Sequence, residues 1–285
     1  MISMSPYRAR RWAGSLGFYI LVAAILIFSL FPFYWVLVTS LKTDGEISQA
    51  THGLWPDHAT LDSYFRLLVA GNFFVPLGNS VLVAAGSTLI ALVAGVLTAY
   101  AVVRLAKRAR PAVLGFVLAV AFFPVIAMVG PLFFIYRNIG LLNNYLSLII
   151  TYLIYALPIA LWILVSIFSQ IPKEIEEAAM VDGAKPLQVL WYVVLPLAIP
   201  GVFTAAIISF ILCWNDFIFA LSFMSEPNRY TAPLALVNLG QSQYQVFYNV
   251  IDAGVVVTTL PIVVLVLIAQ RRIVGGLAAG GLKGG

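Results

Sequence analysis

Six stretches of the chain, at about residues 13 to 38, 78 to 103, 112 to 135, 146 to 168, 200 to 223 and 251 to 270, are apolar and almost free of charge. Each, as a helix rising 1.5 Å per residue, is long enough to cross a hydrocarbon layer of about 30 Å. Length alone leaves buried core helices in play, so composition decides. With 62% hydrophobic and 9% charged residues, a 285-residue chain has too little ionisable surface to coat a globule in water. Its solvent must be lipid, and an even number of crossings puts both termini on one side.

Lys and Arg near span ends are retained on the cytoplasmic face. With the N-terminus inside, the inner segments hold Arg8, Arg10, Arg11, Arg104, Lys107, Arg108, Arg110, Lys173, Lys185, Arg271, Arg272 and Lys283. Only Lys42, Arg66, Arg137 and Arg229 fall outside. This asymmetry orients both termini and the loop at about 169 to 197 toward the cytoplasm. The net charge of +5 reports that topology and contact with membrane lipid headgroups. A nucleic-acid partner would need a clustered soluble basic face, which the sequence lacks. The N-terminus, basic and then apolar, has the layout of a secretory signal. Its apolar run of about 26 residues exceeds the usual 7 to 15, so the expectation is an uncleaved first span. Cys213 is the sole cysteine, which precludes an intrachain disulfide.

No linker, low-complexity tract or short repeat divides the chain, which reads as one helical membrane domain over residues 1–285. In the first outer loop, Thr60 or Asp62 can cap a short helix carrying Leu61, Tyr64, Phe65 and Leu68, a spacing that predicts an interfacial helix. Its role is equally well a plug between spans or a docking element. Pro124, Pro131, Pro158 and Pro261 fall inside spans and predict kinks.

The inner loop carries the densest pattern. Pro172 suits a helix start and Gly183 a left-handed C-terminal cap. Glu174, Glu176 and Glu177 favour the positive end of the helix dipole. Ile175, Ala178, Ala179 and Asp182 share one face, and the two alanines let a partner approach closely. A second helical piece starts at Pro186, with Leu187, Leu190, Trp191 and Val194 as an apolar stripe. On composition alone, such an acidic helix is as well read as a solvated connector.

The spacing Glu177-Ala178-Ala179, three residues, Gly183, nine residues, Val193-Val194-Leu195-Pro196 resembles the cytoplasmic loop of binding-protein-dependent ABC import permeases, with Val193 in place of the family's Ile. Asn79-Ser80, Trp214-Asn215-Asp216 and the glycine-rich tail from Arg271 resemble the second, six-span permease of the carbohydrate group exemplified by the maltose and trehalose systems. The resemblance implies an all-α type I importer permease in a prokaryotic inner membrane. It also implies a heterodimer with a second permease, two ATP-binding subunits and an extracytoplasmic sugar-binding protein. By similarity, Glu177, Ala178, Ala179, Asp182 and Gly183 contact an ATP-binding subunit, which the tail also touches. ATP and Mg belong to those subunits, and this chain is expected to bind no cofactor and no metal.

The absent chemistry agrees with that expectation. No Gly-x-x-x-x-Gly-Lys-Ser/Thr loop exists to cradle phosphates, and the two histidines, His52 and His58, match no zinc spacing. An embedded enzyme would need more acids or a histidine base within the spans. An ion- or proton-coupled secondary transporter usually needs intramembrane charge, and Asp216 and Asp252 are the only acids close to a span. If span five begins near Pro200, Asp216 sits about 24 Å along it, toward the outer boundary. Asn79, Asn215 and Asp216 are therefore candidate substrate-pathway residues, with structural pairing of Asp216 an equal alternative.

Overall fold

The computed structural model describes residues 6–48, 53–239 and 247–281, and every regular element among them is helical. His52 and Lys283 lie outside the described residues, as do the side chains of Arg8, Arg10, Arg11, Lys107, Arg271 and Arg272. The elements are α1 (Pro6–Ser40), α2 (Asp44–Ile47), α3 (Asp62–Phe65), α4 (Phe74–Tyr100), α5 (Arg110–Ala121), α6 (Val125–Asn138) and α7 (Tyr145–Thr151). They continue as α8 (Leu153–Gln170), α9 (Lys173–Val181), α10 (Pro186–Val189), α11 (Leu195–Trp214), α12 (Ile218–Phe223), α13 (Ala232–Leu239) and α14 (Tyr248–Gly281). Five continuous stretches among them are long and apolar enough to cross a membrane, and α5 with α6 makes a sixth as a broken pair.

Two expected spans change shape. The third turns a corner of 88° between α5 and α6 where a kink was expected. Pro124 has no N–H and excludes helical backbone from Phe123; α5 closes with Phe122 N–H and Phe123 N–H on Leu118 O and Val120 O. Pro131, Pro158 and Pro261, by contrast, sit inside helices that continue through them. The fifth span is shifted: its helix runs from Pro186 to Trp214, not from 200 to 223. Pro186 and Pro196 fall in the first turns of α10 and α11, and Pro200 sits inside α11, which continues through it. A π-helical turn at Leu190–Val194 joins α10 to α11.

The chain divides into two compact units. The smaller comprises 1–71 and 239–257. Here Arg66 donates its two terminal nitrogens to Asp44 at 3.0 and 2.9 Å and pairs through Nε with Asp62 at 2.9 Å. The guanidinium holds the Asp44 carboxyl below its ordinary range, and Asn249 adds a bond to the same carboxylate. The interfacial helix is α3, extended by a π-helical turn at Arg66–Ala70. Its cap position is Leu61, and Thr60 Oγ1 accepts from Asp62 N–H instead. Helix α1 exposes apolar side chains such as Phe18 and Phe28, a surface only lipid or another apolar helix can solvate.

The larger unit comprises 72–238 and 258–285, and α4, α8 and α11 pack on one another at its centre. Apolar burial drives no association between helices already in lipid, so close approach and interhelical hydrogen bonds hold them. Ala91, Ala156, Ala160 and Ala205 are fully buried at these contacts. At Gly201 an added Cβ would lie 1.8 Å from Ile167 Cδ1, so any larger residue there requires the Ile167 side chain to move. Ser87 Oγ donates to Ile149 O and Ser209 Oγ to Ala156 O across helix pairs.

Candidate functional site

The segment after α8 folds as α9, and its limits follow from local chemistry. Pro172 occupies the cap position, one residue before the helix, with extended backbone at ψ 135°. Gly183 takes φ +92°, open to glycine and costly to residues with a Cβ. Its N–H bonds Met180 O at 3.0 Å, and Ala184 N–H bonds Ala179 O at 3.0 Å. These paired bonds satisfy carbonyls that the helix end would otherwise leave orphaned. Lys185 N–H donates to Gln188 Oε1 and starts α10 without a break in the chain's course.

The faces of α9 divide differently from the expected single stripe. Ile175, Glu177, Ala178, Val181, Asp182 and Gly183 are exposed. Ala179 turns inward and packs with Ala184 against the core of Phe168, Val189, Leu190 and Val194. The second stripe also splits, since Leu190 and Val194 are buried while Leu187 and Trp191 are exposed. Helix periodicity reports which residues share a face, but not which of two apolar faces finds a neighbour.

Sequence reasoning grouped Glu176 with the other acids of the first turns. The structure buries it, 3% exposed, against Arg104 at 2.6 Å. The available signal was Arg104 itself, the cation nearest the end of an uncharged span.

The substrate-pathway candidates have different surroundings. Asn79 is buried and spends both N–H groups on Asn228 O and Tyr230 O, each at 2.9 Å, while its Oδ1 accepts from Tyr145 Oη at 2.8 Å. Its hydrogen bonds are thus taken within the chain. Asn79→Leu is expected to lower the melting temperature of the purified protein by roughly 5 °C, because buried partners lose their bonds. An unchanged melting curve would show that this network contributes nothing. Asn215 caps the C-terminus of α11, is exposed, and donates to Ile211 O. Asp216 follows the helix end rather than lying within a span to 223. It is 7% exposed and accepts from Tyr155 Oη at 3.1 Å and Ala220 N–H at 3.2 Å. Tyr155 also lines a cavity of about 480 Å³ with Phe122, Phe123, Pro158 and Trp162 at the α5–α6 corner. No group of three or more potential metal ligands occurs among the described residues.

A helix capped for abrupt termination, fixed by one face and presenting the other, is built to meet a second surface. Residues 91–277 match the family model described as binding-protein-dependent transport system inner membrane component. The chain is 38% identical to the sulfoquinovosyl glycerol transport system permease protein SmoH of Agrobacterium fabrum, over 99% of each chain. It is 40% identical to the trehalose transport system permease protein SugB of Mycobacterium tuberculosis, over 99% of this chain and 100% of the relative. Its fold matches a chain of a bacterial ABC transporter involved in the import of the acidic polysaccharide alginate, with a TM-score of 0.78, 21% identity, and 95% and 99% of the two chains covered. The chain therefore belongs to the inner membrane components of binding-protein-dependent transport systems, as a multi-span permease subunit of an ABC importer.

Proposed function

We propose that the chain is one half of a permease heterodimer that imports a carbohydrate, a disaccharide or oligosaccharide, handed over by an extracytoplasmic binding protein. Two ATP-binding subunits supply the energy, and α9 is the coupling helix seated on one of them. The observation that carries this reading is the division of α9 into an inner face held by the fold and an outer face of Ile175, Glu177, Ala178, Val181 and Asp182. The sugar relatives support the cargo class, and the lack of a phosphate-binding loop supports ATP chemistry on separate subunits. Closure of the ATP-binding subunits would draw the coupling helices together, and the spans would rock to face outward as rigid bodies. Asn215 and Asp216, with the aromatic cavity at Tyr155, are the stretch assigned to the substrate path. Aromatic faces there would pack on sugar rings.

Uptake of labelled disaccharides into vesicles holding the four-subunit complex and its binding protein tests this. ATP-dependent accumulation is expected, and accumulation without ATP would overturn it. Orientation is tested in a Cys213→Ser background with Glu177→Cys. An impermeant thiol reagent is expected to label inverted vesicles, where the cytoplasmic face is outward, and to spare intact cells. Labelling of intact cells alone would reverse the assigned topology.

A further inference from the structure

We propose that Arg104 is the positioning residue that clamps the coupling helix to two spans at once, so that a push on α9 reaches the membrane as rigid-body motion. Arg104 lies in a π-helical turn, Ala101–Leu105, that extends α4 at its inner end. Such turns cluster at functional positions because they re-aim a side chain. Its Nε donates to Glu176 Oε1 at 2.6 Å, in α9. Its Nη2 donates to Phe168 O at 3.0 Å and to Ile171 O at 2.8 Å, carbonyls at the C-terminal end of α8, the first of which also accepts from Ile171 N–H at 3.4 Å. One planar guanidinium therefore joins the ends of α4 and α8 and the first turns of α9.

Burial makes the joint stiff. The two side chains are 9% and 4% exposed, so water cannot replace either partner. Separating them would leave a charge buried and unpaired, a strongly unfavourable state. The positive fork also sits at the negative end of the α8 dipole. Lysine, a point charge on a flexible stem, cannot reproduce a planar fork that serves three acceptors on two elements. Farther along the same inner face, Ala179 of α9 and the following Ala184 meet a second π-helical turn, Leu190–Val194. The helix is thus held along one face by a polar clamp in its first turns and an apolar contact in its last, both rooted in spans.

A loop tied only by its ends would absorb a displacement by bending. A helix fixed laterally to α4 and α8 passes that displacement on. The proposal rests on the reading of α9 as the coupling helix, and its test separates the two. Arg104→Lys, Arg104→Ala and Glu176→Gln are compared with the native chain in the reconstituted complex, with Arg108→Ala, a nearby exposed arginine, as a control. Backbone hydrogen exchange over residues 173–184 is expected to rise by about tenfold in the three clamp variants while α4, α8 and α11 stay protected. The ATP hydrolysed per sugar imported, measured per assembled complex, is expected to rise by about fivefold or more. The control should leave exchange unaltered. Native exchange over 173–184 in Arg104→Lys and Glu176→Gln, or a native ATP-to-sugar ratio with exchange raised equally in all helices, would reduce the pair to ordinary structural contact and overturn the proposal. If instead the native complex shows no ATP-driven uptake, the importer reading fails, and the exchange arm still decides whether the clamp holds α9.

Discussion

Gly183→Pro is expected to reduce sugar uptake to below about a tenth of native at normal membrane expression, with the spans still folded. Gly183 sits at φ +92°, and the proline ring holds φ near −65°, so the backbone cannot turn back after α9. The substitution also removes the N–H that bonds Met180 O, and with it the geometry that brings Ala184 N–H to Ala179 O. Ala184 would leave the core, and the exposed face of α9 would lose its orientation toward the partner. Glu177→Lys is the companion variant: it changes no buried contact, because Glu177 is exposed, and it reverses charge at the proposed contact. It should weaken co-purification of the ATP-binding subunits while leaving thermal stability within about 0.5 kcal/mol of native. Normal uptake by both variants, at normal expression, would remove α9 from the coupling role.

Asp216→Leu is expected to lose most uptake, whereas Asp216→Asn should keep a substantial part. Leucine accepts no hydrogen bond and leaves Tyr155 Oη and Ala220 N–H without this partner, at about 1 to 3 kcal/mol for each buried donor stranded. Asparagine retains one acceptor oxygen and serves one of the two. Ala220 N–H lies in the first turn of α12, so the leucine variant should also loosen the short helix that follows the end of α11. A proton relay would demand a chain of partners along the spans, and α1, α4, α5, α6, α8 and α11 contain no histidine and no acid, leaving Asp252 near the start of α14 as the one acid inside a span. Uptake should accordingly be insensitive to collapse of the proton gradient at constant ATP. Abolished uptake in Asp216→Asn, together with arrest of the native complex by an ionophore, would replace ATP coupling with proton coupling. Full uptake in Asp216→Leu would return Asp216 to a purely structural role.

Much of the architecture was legible before any coordinates. Lipid imposes one requirement on every span, that its backbone be internally bonded and its side chains apolar, so hydropathy along the chain reports the spanning helices almost directly. The α9 boundaries were equally readable, because Pro172 and Gly183 act through their own backbone restrictions. Where local rules competed with packing, the reading failed. Pro124 and Pro158 carry the same chemistry, yet α6 departs at 88° from α5 while α8 passes through Pro158. Span five was set from about residue 200 with a separate helical piece from Pro186, whereas a π-helical turn joins the two into one continuous helix.

The sequence by itself thus determined that the chain lives in lipid and, apart from the start of span five and the corner within span three, which segments are built to cross it. It also placed a capped helix between Pro172 and Gly183. Only the tertiary structure decided that Glu176 turns inward and Glu177 outward. Three adjacent carboxylates can be told apart only by what lies opposite them, and Arg104 is 72 residues distant in sequence from Glu176. The same holds for Asn79, whose amide is claimed by carbonyls 149 and 151 residues away. Backbone chemistry is local and is written in order along the chain, whereas satisfaction of a buried polar group depends on neighbours that only packing brings together.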